Sequence, residues 1–167
     1  MKLIGKLTPS GVASTVINNI PQTYSALMII ISCRSTYTGE TAFGMKMRFN
    51  TDTSADTNYS FIRVTGQTPS NGATSTGSVW KILGTGAGSL SNIYSVTSVI
   101  IPNYTGTTIS KKVGTVVSNI EPGSSGMGFY DITPSAWNST AAINSITFYD
   151  DSGMAFALGS SIYIYGI

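Results

Sequence analysis

The hydrophobic and polar residues of this chain alternate with the two-residue period of β-strands. The pattern is clearest at residues 42–50, where Phe43, Met45, Met47 and Phe49 alternate with glycine or basic residues. A period of two places the apolar set on one face of a sheet. Helical periodicity is nearly absent, so the chain is predicted to be all-β.

Other segments follow the same pattern or form continuous apolar runs. The run at 24–34 contains three consecutive isoleucines, which favour a strand, although periodicity alone leaves a short buried helix open. The predicted strands are 24–34, 42–50, 59–65, 78–83, 93–101, 107–117, 127–133, 142–149, 154–156 and 161–167. Residues 146–149 and 154–156 are expected to pair as a hairpin across the turn at 150–153.

The segments between these strands are rich in turn-forming residues. Residues 67–77 are expected to form an exposed loop, and 123–126 a turn. Residues 134–139 are predicted to form one helical turn, because Pro134 suits a first helical position and Thr133 and Ser135 can cap it.

The number and spacing of the short strands predict two packed antiparallel sheets, a β-sandwich of jelly-roll type. Neither an internal repeat nor a linker divides the sequence, so residues 1–167 are expected to form a single domain. The prediction of a single domain also allows residues 1–12 to form an extended N-terminal arm.

Composition excludes several classes of function. Only 10% of residues are charged, the net charge is +2, and the basic residues are scattered. Nucleic-acid binding needs a basic face, and gathering Lys46, Arg48, Arg63 and Lys81 on one side of a sheet is disfavoured, so no nucleic-acid partner is predicted. No apolar stretch is long enough for a membrane span or a signal peptide.

Cysteine and histidine chemistry is similarly restricted. Cys33 is the only cysteine, so the chain cannot form an intramolecular disulfide, and the sequence contains no histidine. A reactive cysteine normally needs a basic partner such as histidine, so Cys33 is predicted to be a small buried hydrophobe.

Two loops have the composition of ligand sites. Gly84, Gly86 and Gly88 follow an apolar strand, but no helix is predicted after them, so a flexible hairpin loop is favoured over a dinucleotide-binding turn. A second loop places side-chain oxygens at every second residue. Its members are Asn50, Asp52, Ser54, Asp56 and Asn58. The EF-hand glycine and final acid are missing from this loop, which leaves a different calcium site or, as favoured, a solvated loop.

Carboxylate chemistry has little support. Asp150 and Asp151 lie in a tight turn, whereas acid–base catalysis needs two carboxylates facing each other across a cleft. Glu40, Glu121 and Asp131 would have to be brought together by the fold. The protein is therefore expected not to be an enzyme, and no catalytic, cofactor-binding or metal-ligating residue is assigned.

Two parts of the sequence resemble small virion proteins of tailed bacteriophages. Residues 144–148 read Asn-Ser-Ile-Thr-Phe, and residues 156–167 read Phe-Ala-Leu-Gly-Ser-Ser-Ile-Tyr-Ile-Tyr-Gly-Ile. They are similar to a closing pattern, I-x-S-I followed by F-x-x-G-S-x-I-x-x-Y-G-I. Residues 20–27, Ile-Pro-Gln-Thr-Tyr-Ser-Ala-Leu, and 32–35, Ser-Cys-Arg-Ser, are similar to a P-x-x-Y-x-x-L strand that ends in S-x-R.

The resemblance implies a jelly-roll structural protein of the virion, assembled in the bacterial cytoplasm. As a capsid decoration or cement protein it would stabilise the head by binding the major capsid protein and itself, as a homotrimer or homodimer. The alternative is a tail-fibre or tail-tip module that binds host-surface glycan through some of its nine tyrosines and two tryptophans. Neither role requires a cofactor.

The C-terminal segment 161–167 is apolar or aromatic on both faces. Ile162 and Ile164 alternate with Tyr163 and Tyr165. Such a strand belongs inside a sheet or under a partner, so the segment is also predicted to be a seam between copies.

Overall fold

The computed structural model describes residues 1–39, 41–53, 59–65, 73–76, 80–113, 117–120, 129–132, 135–150 and 153–167. Over these residues the chain forms fourteen strands and no helix. The strands are β1 (Lys2–Leu7), β2 (Ser14–Ile17), β3 (Ala26–Cys33), β4 (Ala42–Phe49), β5 (Tyr59–Thr65), β6 (Ala73–Thr76), β7 (Trp80–Thr85), β8 (Ser95–Pro102), β9 (Lys111–Val113), β10 (Val117–Ile120), β11 (Phe129–Ile132), β12 (Ser135–Trp137), β13 (Ile146–Asp150) and β14 (Ser161–Gly166).

The strands form two sheets, and every ladder between described strands is antiparallel. The large sheet has the order β1-β14-β3-β8-β10-β11-β5-β12-β9, with β6 paired to β5, and the small sheet has the order β2-β13-β4-β7. The all-β, antiparallel prediction is thus confirmed. From β1 to β4, and again at β7–β8 and β13–β14, successive strands lie in opposite sheets, an order consistent with a jelly roll.

Alternate residues of both sheets point inward and form one hydrophobic core. On β3 the even-numbered residues are partly exposed, whereas Leu27, Ile29, Ile31 and Cys33 are completely buried. The Cys33 sulfur lies 3.7 Å from the Met45 sulfur on β4, so the two sheets touch there. The other core side chains are Ile20, Met47, Phe49, Val99, Ile101, Tyr104, Trp137, Ile143, Ile146, Phe148, Phe156, Ile162 and Ile164.

The predicted C-terminal strand is β14, which lies between β1 and β3 in the large sheet. Its partners are distant in sequence, because Ile164 is paired with Gly5 on one side and with Ile29 on the other. Tyr24 packs against Gly166, where an added Cβ would lie 2.3 Å from the ring. The glycine therefore allows the ring to lie directly on the strand backbone.

The N-terminal segment does not form an extended arm. Residues 2–7 instead form β1, the edge strand of the large sheet, which is paired to β14 with a bulge between Leu3 and Gly5. Ile4 and Leu7 explain the difference, because both pack against the hydrophobic core. Gly5 faces Ile17 of the small sheet so closely that a Cβ would lie 2.1 Å from the Ile17 Cδ1 atom.

Two local predictions were wrong where tertiary pairing decides the conformation. The segment expected to begin a helical turn forms β12, which pairs with β5 and β9, and its Trp137 is buried at 5.4 Å from the Phe49 ring. The expected hairpin between 146–149 and 154–156 is absent, because β13 pairs with β2 and β4. Phe156 instead bridges to Ser35.

The loop predicted at 67–77 contains strand β6, and its residues 67–72 and 77 lie outside the described part of the chain, as does the turn at 123–126. Within the described residues, no helix has the length and apolar character needed to cross a membrane.

Candidate functional site

The outer face of the large sheet presents an apolar surface on its central strands. Because Leu27 and Ile29 point into the core, their neighbours on β3 point outward, and the same alternation applies to β8 and β14. We call this surface the outer apolar face. It consists of Met28, Ile30, Val96, Ile100, Tyr163 and Tyr165.

Cross-strand register makes the outer apolar face continuous. Tyr165, Met28 and Ile100 stand side by side on three neighbouring strands. Ile100 is 43% exposed and Val96 is 54% exposed, which are large fractions for β-branched side chains in the middle of a sheet. This exposure makes the outer apolar face a candidate surface for contact with another molecule.

The polar groups on this face are hydroxyls. Ser32, Ser98 and Ser161 are interspersed among the apolar side chains, and the sequences of β3, β8 and β14 contain no charged residue. A single cation reaches the margin from β1, where the Lys6 Nζ atom lies 5.4 Å from the centre of the Tyr163 ring. The surface therefore lacks the charges that would make it favour water.

A second surface lies at the end of β3, where Arg34 follows the strand. The guanidinium is largely buried, and both of its terminal nitrogens donate hydrogen bonds to backbone carbonyls of the loop between β7 and β8. The acceptors are Leu90 at 2.7 Å, Ile93 at 3.0 Å, Ser89 at 3.0 Å and Ala87 at 3.2 Å. Four such bonds replace the hydration that the buried charge has lost, and they fix the shape of this loop.

The same arginine also anchors the neighbouring loop before β14. Its carbonyl accepts a hydrogen bond from the Ala157 amide at 2.8 Å, and the Tyr94 hydroxyl donates to the Leu158 carbonyl. Gly159 has a φ of +97° and packs against Tyr94, a position that requires glycine. Leu90 and Leu158 project from these fixed loops with 53% and 81% exposure, and together we call them the loop tip.

A buried polar cluster lies beneath the loop tip. The Ser35 hydroxyl donates to the Asp150 carboxylate at 2.5 Å, and both residues are almost completely buried. Desolvation raises the pKa of the Cys33 thiol from 9.0 to about 12, against the opposing effect of its hydrogen bond with Ser95. A serine and a thiol that water cannot reach serve packing and hydrogen bonding within the fold.

The glycine-rich loop does not lead into a helix. Gly84 lies in β7, and the Gly86 amide donates to the Thr41 carbonyl at 2.8 Å. The chain then passes through the loop that Arg34 holds and enters β8. No helix N-terminus that could receive a phosphate follows the loop in the described residues. The prediction of a hairpin loop was wrong, because β7 lies in the small sheet and β8 in the large sheet.

In the oxygen-rich loop, the two described side chains bond within the protein. The Asp52 carboxylate accepts a hydrogen bond from the Trp137 indole at 2.7 Å, and the Asn50 side-chain oxygen accepts the Asn144 amide at 2.8 Å. Ser54, Asp56 and Asn58 lie outside the described residues. No group of three or more histidine, cysteine or acidic residues in the described ranges could hold a metal ion.

The remaining acids are not brought together in the described structure. Asp150 meets Ser35, and Asp131 lies on β11 in the other sheet. Glu40, Glu121 and Asp151 lie outside the described residues.

The basic residues are more clustered than the sequence suggested. Lys46 and Arg48 occupy outward positions on β4, and Lys81 is the register partner of Lys46, whereas Arg63 lies on β5 in the large sheet. Arg48 lies 4.8 Å from the Tyr149 ring and donates to its hydroxyl at 3.1 Å. Lys46, Arg48 and Lys81 thus occupy neighbouring positions on two paired strands of the small sheet.

Leu90, Leu158 and the role of Arg34 were not apparent from the sequence. The available signal for Leu90 and for Leu158 was that each is a single leucine in a loop rich in glycine and serine. The available signal for Arg34 was its place at the end of the S-x-R motif. No protein-family model matches this chain, and no curated protein matches it.

Proposed function

We propose that the protein is a structural protein of a bacteriophage virion, a capsid decoration protein that stabilises the head by binding the major capsid protein and itself. The observation that supports this most is the exposure of large apolar side chains on rigid surfaces, namely the outer apolar face and the loop tip. Surfaces of this kind bind other proteins. The similarity of residues 20–27, 32–35, 144–148 and 156–167 to small phage virion proteins supports the same role.

The described polar groups favour assembly over chemistry. The serine that meets a carboxylate is buried, and the cysteine is buried with a raised pKa. Neither group offers the accessible nucleophile and base that a hydrolytic enzyme uses.

In this proposal the loop tip contacts the capsid protein. Leu158 is 81% exposed, and its loop is already ordered by Arg34 and Tyr94, so binding would cost little conformational entropy. Burying one leucine contributes about 2 kcal/mol. Such a contact is weak alone, but many copies that bridge neighbouring capsid subunits add through avidity and resist internal pressure.

The proposal is tested with particles assembled without the protein. They are expected to release DNA at a lower temperature than complete particles, and added wild-type protein should restore their stability. Leu158→Ser should bind the shells about tenfold more weakly, because it loses most of one buried leucine.

Ile109→Ser is the matched control, since Ile109 is also an exposed aliphatic residue on a loop, beyond the other end of β8. It should restore stability as wild type does. Particles whose DNA release is unchanged without the protein would rule out the decoration role.

A tail-tip module that binds glycan is the second candidate, favoured by the half-buried Tyr163 and Tyr165 on the outer apolar face. Electron microscopy of labelled particles separates the two roles, because a decoration protein covers the head and a receptor binder occupies the tail tip.

A further inference from the structure

We infer that the outer apolar face joins two copies of this chain in a two-fold symmetric, face-to-face dimer. The inference rests on the proposed function, because it assigns this face to the self-contact in that proposal. Dimerisation can nevertheless be measured on the isolated protein, without a virion.

The chemistry of the face is complementary to itself. In a two-fold contact each group meets the same surface on the partner, so a face with charges of one sign repels its copy. The central strands β3, β8 and β14 contain no charged residue, and the Lys6 ammonium group of β1 lies at the margin of the face, beside the Tyr163 ring. Their serine and tyrosine hydroxyls can each donate and accept, so they can pair with the same groups of a second copy.

The size of the face is suited to a stable pair. Together with the adjoining β1, the strands of the face form four neighbouring strands about 4.8 Å apart. With seven residues at a rise of about 3.3 Å they span roughly 20 Å by 20 Å, or roughly 700 Å² of accessible surface after allowing for side-chain relief. This area is close to a tenth of the solvent-accessible surface of the chain, which is 7826 Å². Stable interfaces bury about 800 Å² per partner, so a second copy would cover the face with an area of the required order.

The strand pairing favours association of two copies through the outer apolar face over pairing through a strand edge. β14 is paired with β1 and β3, and β3 is paired with β14 and β8, so these strands have no free edge. The edge strand β1 contains a bulge and two lysines, features that discourage pairing with another sheet. A two-fold contact uses the same face on both copies and leaves none free for a further copy, so the closed assembly has two copies and not three.

The test is sedimentation equilibrium on the purified full-length chain up to about 100 µM, a range that detects micromolar dimers. Wild type is expected to be a dimer. Ile100→Glu places a carboxylate in the centre of the contact and should weaken dimerisation at least about 100-fold, because a buried charge without a partner is strongly unfavourable.

Val16→Glu is the matched control. Val16 is 44% exposed and Ile100 is 43% exposed, and both are β-branched residues on strands, but Val16 lies on β2 of the small sheet. This variant should remain dimeric. Circular dichroism and thermal unfolding of both variants verify that each is folded.

A monomeric wild type at about 100 µM, a folded Ile100→Glu that remains a dimer, or a trimer would each overturn the inference. The two proposals fail separately. A monomer that still stabilises particles contradicts only the dimer, and a dimer that is absent from particles contradicts only the virion role.

Discussion

At the scale of single residues, the most informative side chain is Arg34. A buried guanidinium commonly pairs with a carboxylate, whereas here four backbone carbonyls of one loop accept its hydrogen bonds. The charge is therefore stabilised by the dipoles of the loop that it holds in place. A substitution that removes the guanidinium should affect both the loop and the stability of the whole fold.

We expect Arg34→Met to lower the free energy of unfolding by about 3 kcal/mol, because it leaves four carbonyls without their donor. Arg48→Met is the comparison, since Arg48 lies on the outer face of the small sheet over Tyr149 and should cost about 1 kcal/mol or less. Urea denaturation followed by tryptophan fluorescence measures both. Equal losses in the two variants would show that the loop contributes nothing through Arg34.

Cys33 provides a pH-dependent prediction. Its pKa is raised by burial from 9.0 to about 12, so above pH 9 the thiol ionises in the unfolded chain but not in the folded one. The unfolded state then binds fewer protons, and stability should fall with rising pH between 9 and 12 by about 1.4 kcal/mol per pH unit from this residue. Below pH 9 the contribution of Cys33 does not vary with pH.

The measurement compares wild type with Cys33→Ala by urea denaturation between pH 8 and about pH 10.5, a range that begins below the ordinary thiol pKa and ends above it. The alanine variant should be less stable at pH 8 but should lose less stability as the pH rises. Parallel curves for the two proteins would exclude a raised pKa at Cys33.

At the scale of elements, β14 links parts of the chain that are distant in sequence. It lies between β1 and β3, and Tyr24 packs against its last residue, Gly166. The space for that ring exists only because Gly166 has no side chain. The packing of this strand therefore depends on a glycine whose role is steric.

We expect Gly166→Ala to lower stability by about 2 kcal/mol, because the new Cβ would lie 2.3 Å from atoms of the Tyr24 ring and the ring must move. Gly5→Ala on the adjacent strand is the control. Its Cβ would clash with the end of the flexible Ile17 side chain, which can rotate, and would make an ordinary contact with Ile164 at 3.5 Å, so the loss should be smaller. Differential scanning calorimetry compares the stabilities of the two variants. A larger loss in Gly5→Ala than in Gly166→Ala would contradict the packing described for Tyr24.

The elements that could be predicted from sequence are those whose own pattern determines their conformation. At β4 the strict alternation of Met45, Met47 and Phe49 with polar residues is sufficient. At β12 the local preference of Pro134 and its neighbours for a helical turn is overridden by pairing with β5 and by burial of Trp137. A local sequence pattern does not show which distant strand a segment pairs with.

At the scale of the whole molecule, the candidate surfaces were less predictable than the fold. The alternation in β3 and β14 shows that both sides of these strands are apolar, but the pairing determines which side is covered. The exposure of Leu90 and Leu158 depends on contacts between loops more than sixty residues apart in the chain. Sequence patterns describe elements, and a binding surface arises from several elements together.

The two surfaces would act together in an assembled particle. A dimer formed through the outer apolar face carries two loop tips, so each contact made by Leu158 would occur twice within one complex. The second contact then forms at a high effective concentration, and the complex binds more tightly than either tip alone. Association between copies would in this way strengthen attachment to a shell without any further contact.

The position of β14 has a consequence for synthesis of the protein on the ribosome. β14 follows every other strand in sequence, yet it occupies the place between β1 and β3 in the large sheet. While the nascent chain is incomplete, one side of β3 has no hydrogen-bonding partner, and its isoleucine-rich edge is open to other chains. The edge of β3 is therefore covered only after β14 has been synthesised. A ribosome that stalls ahead of Ser161 leaves a chain that is prone to aggregate.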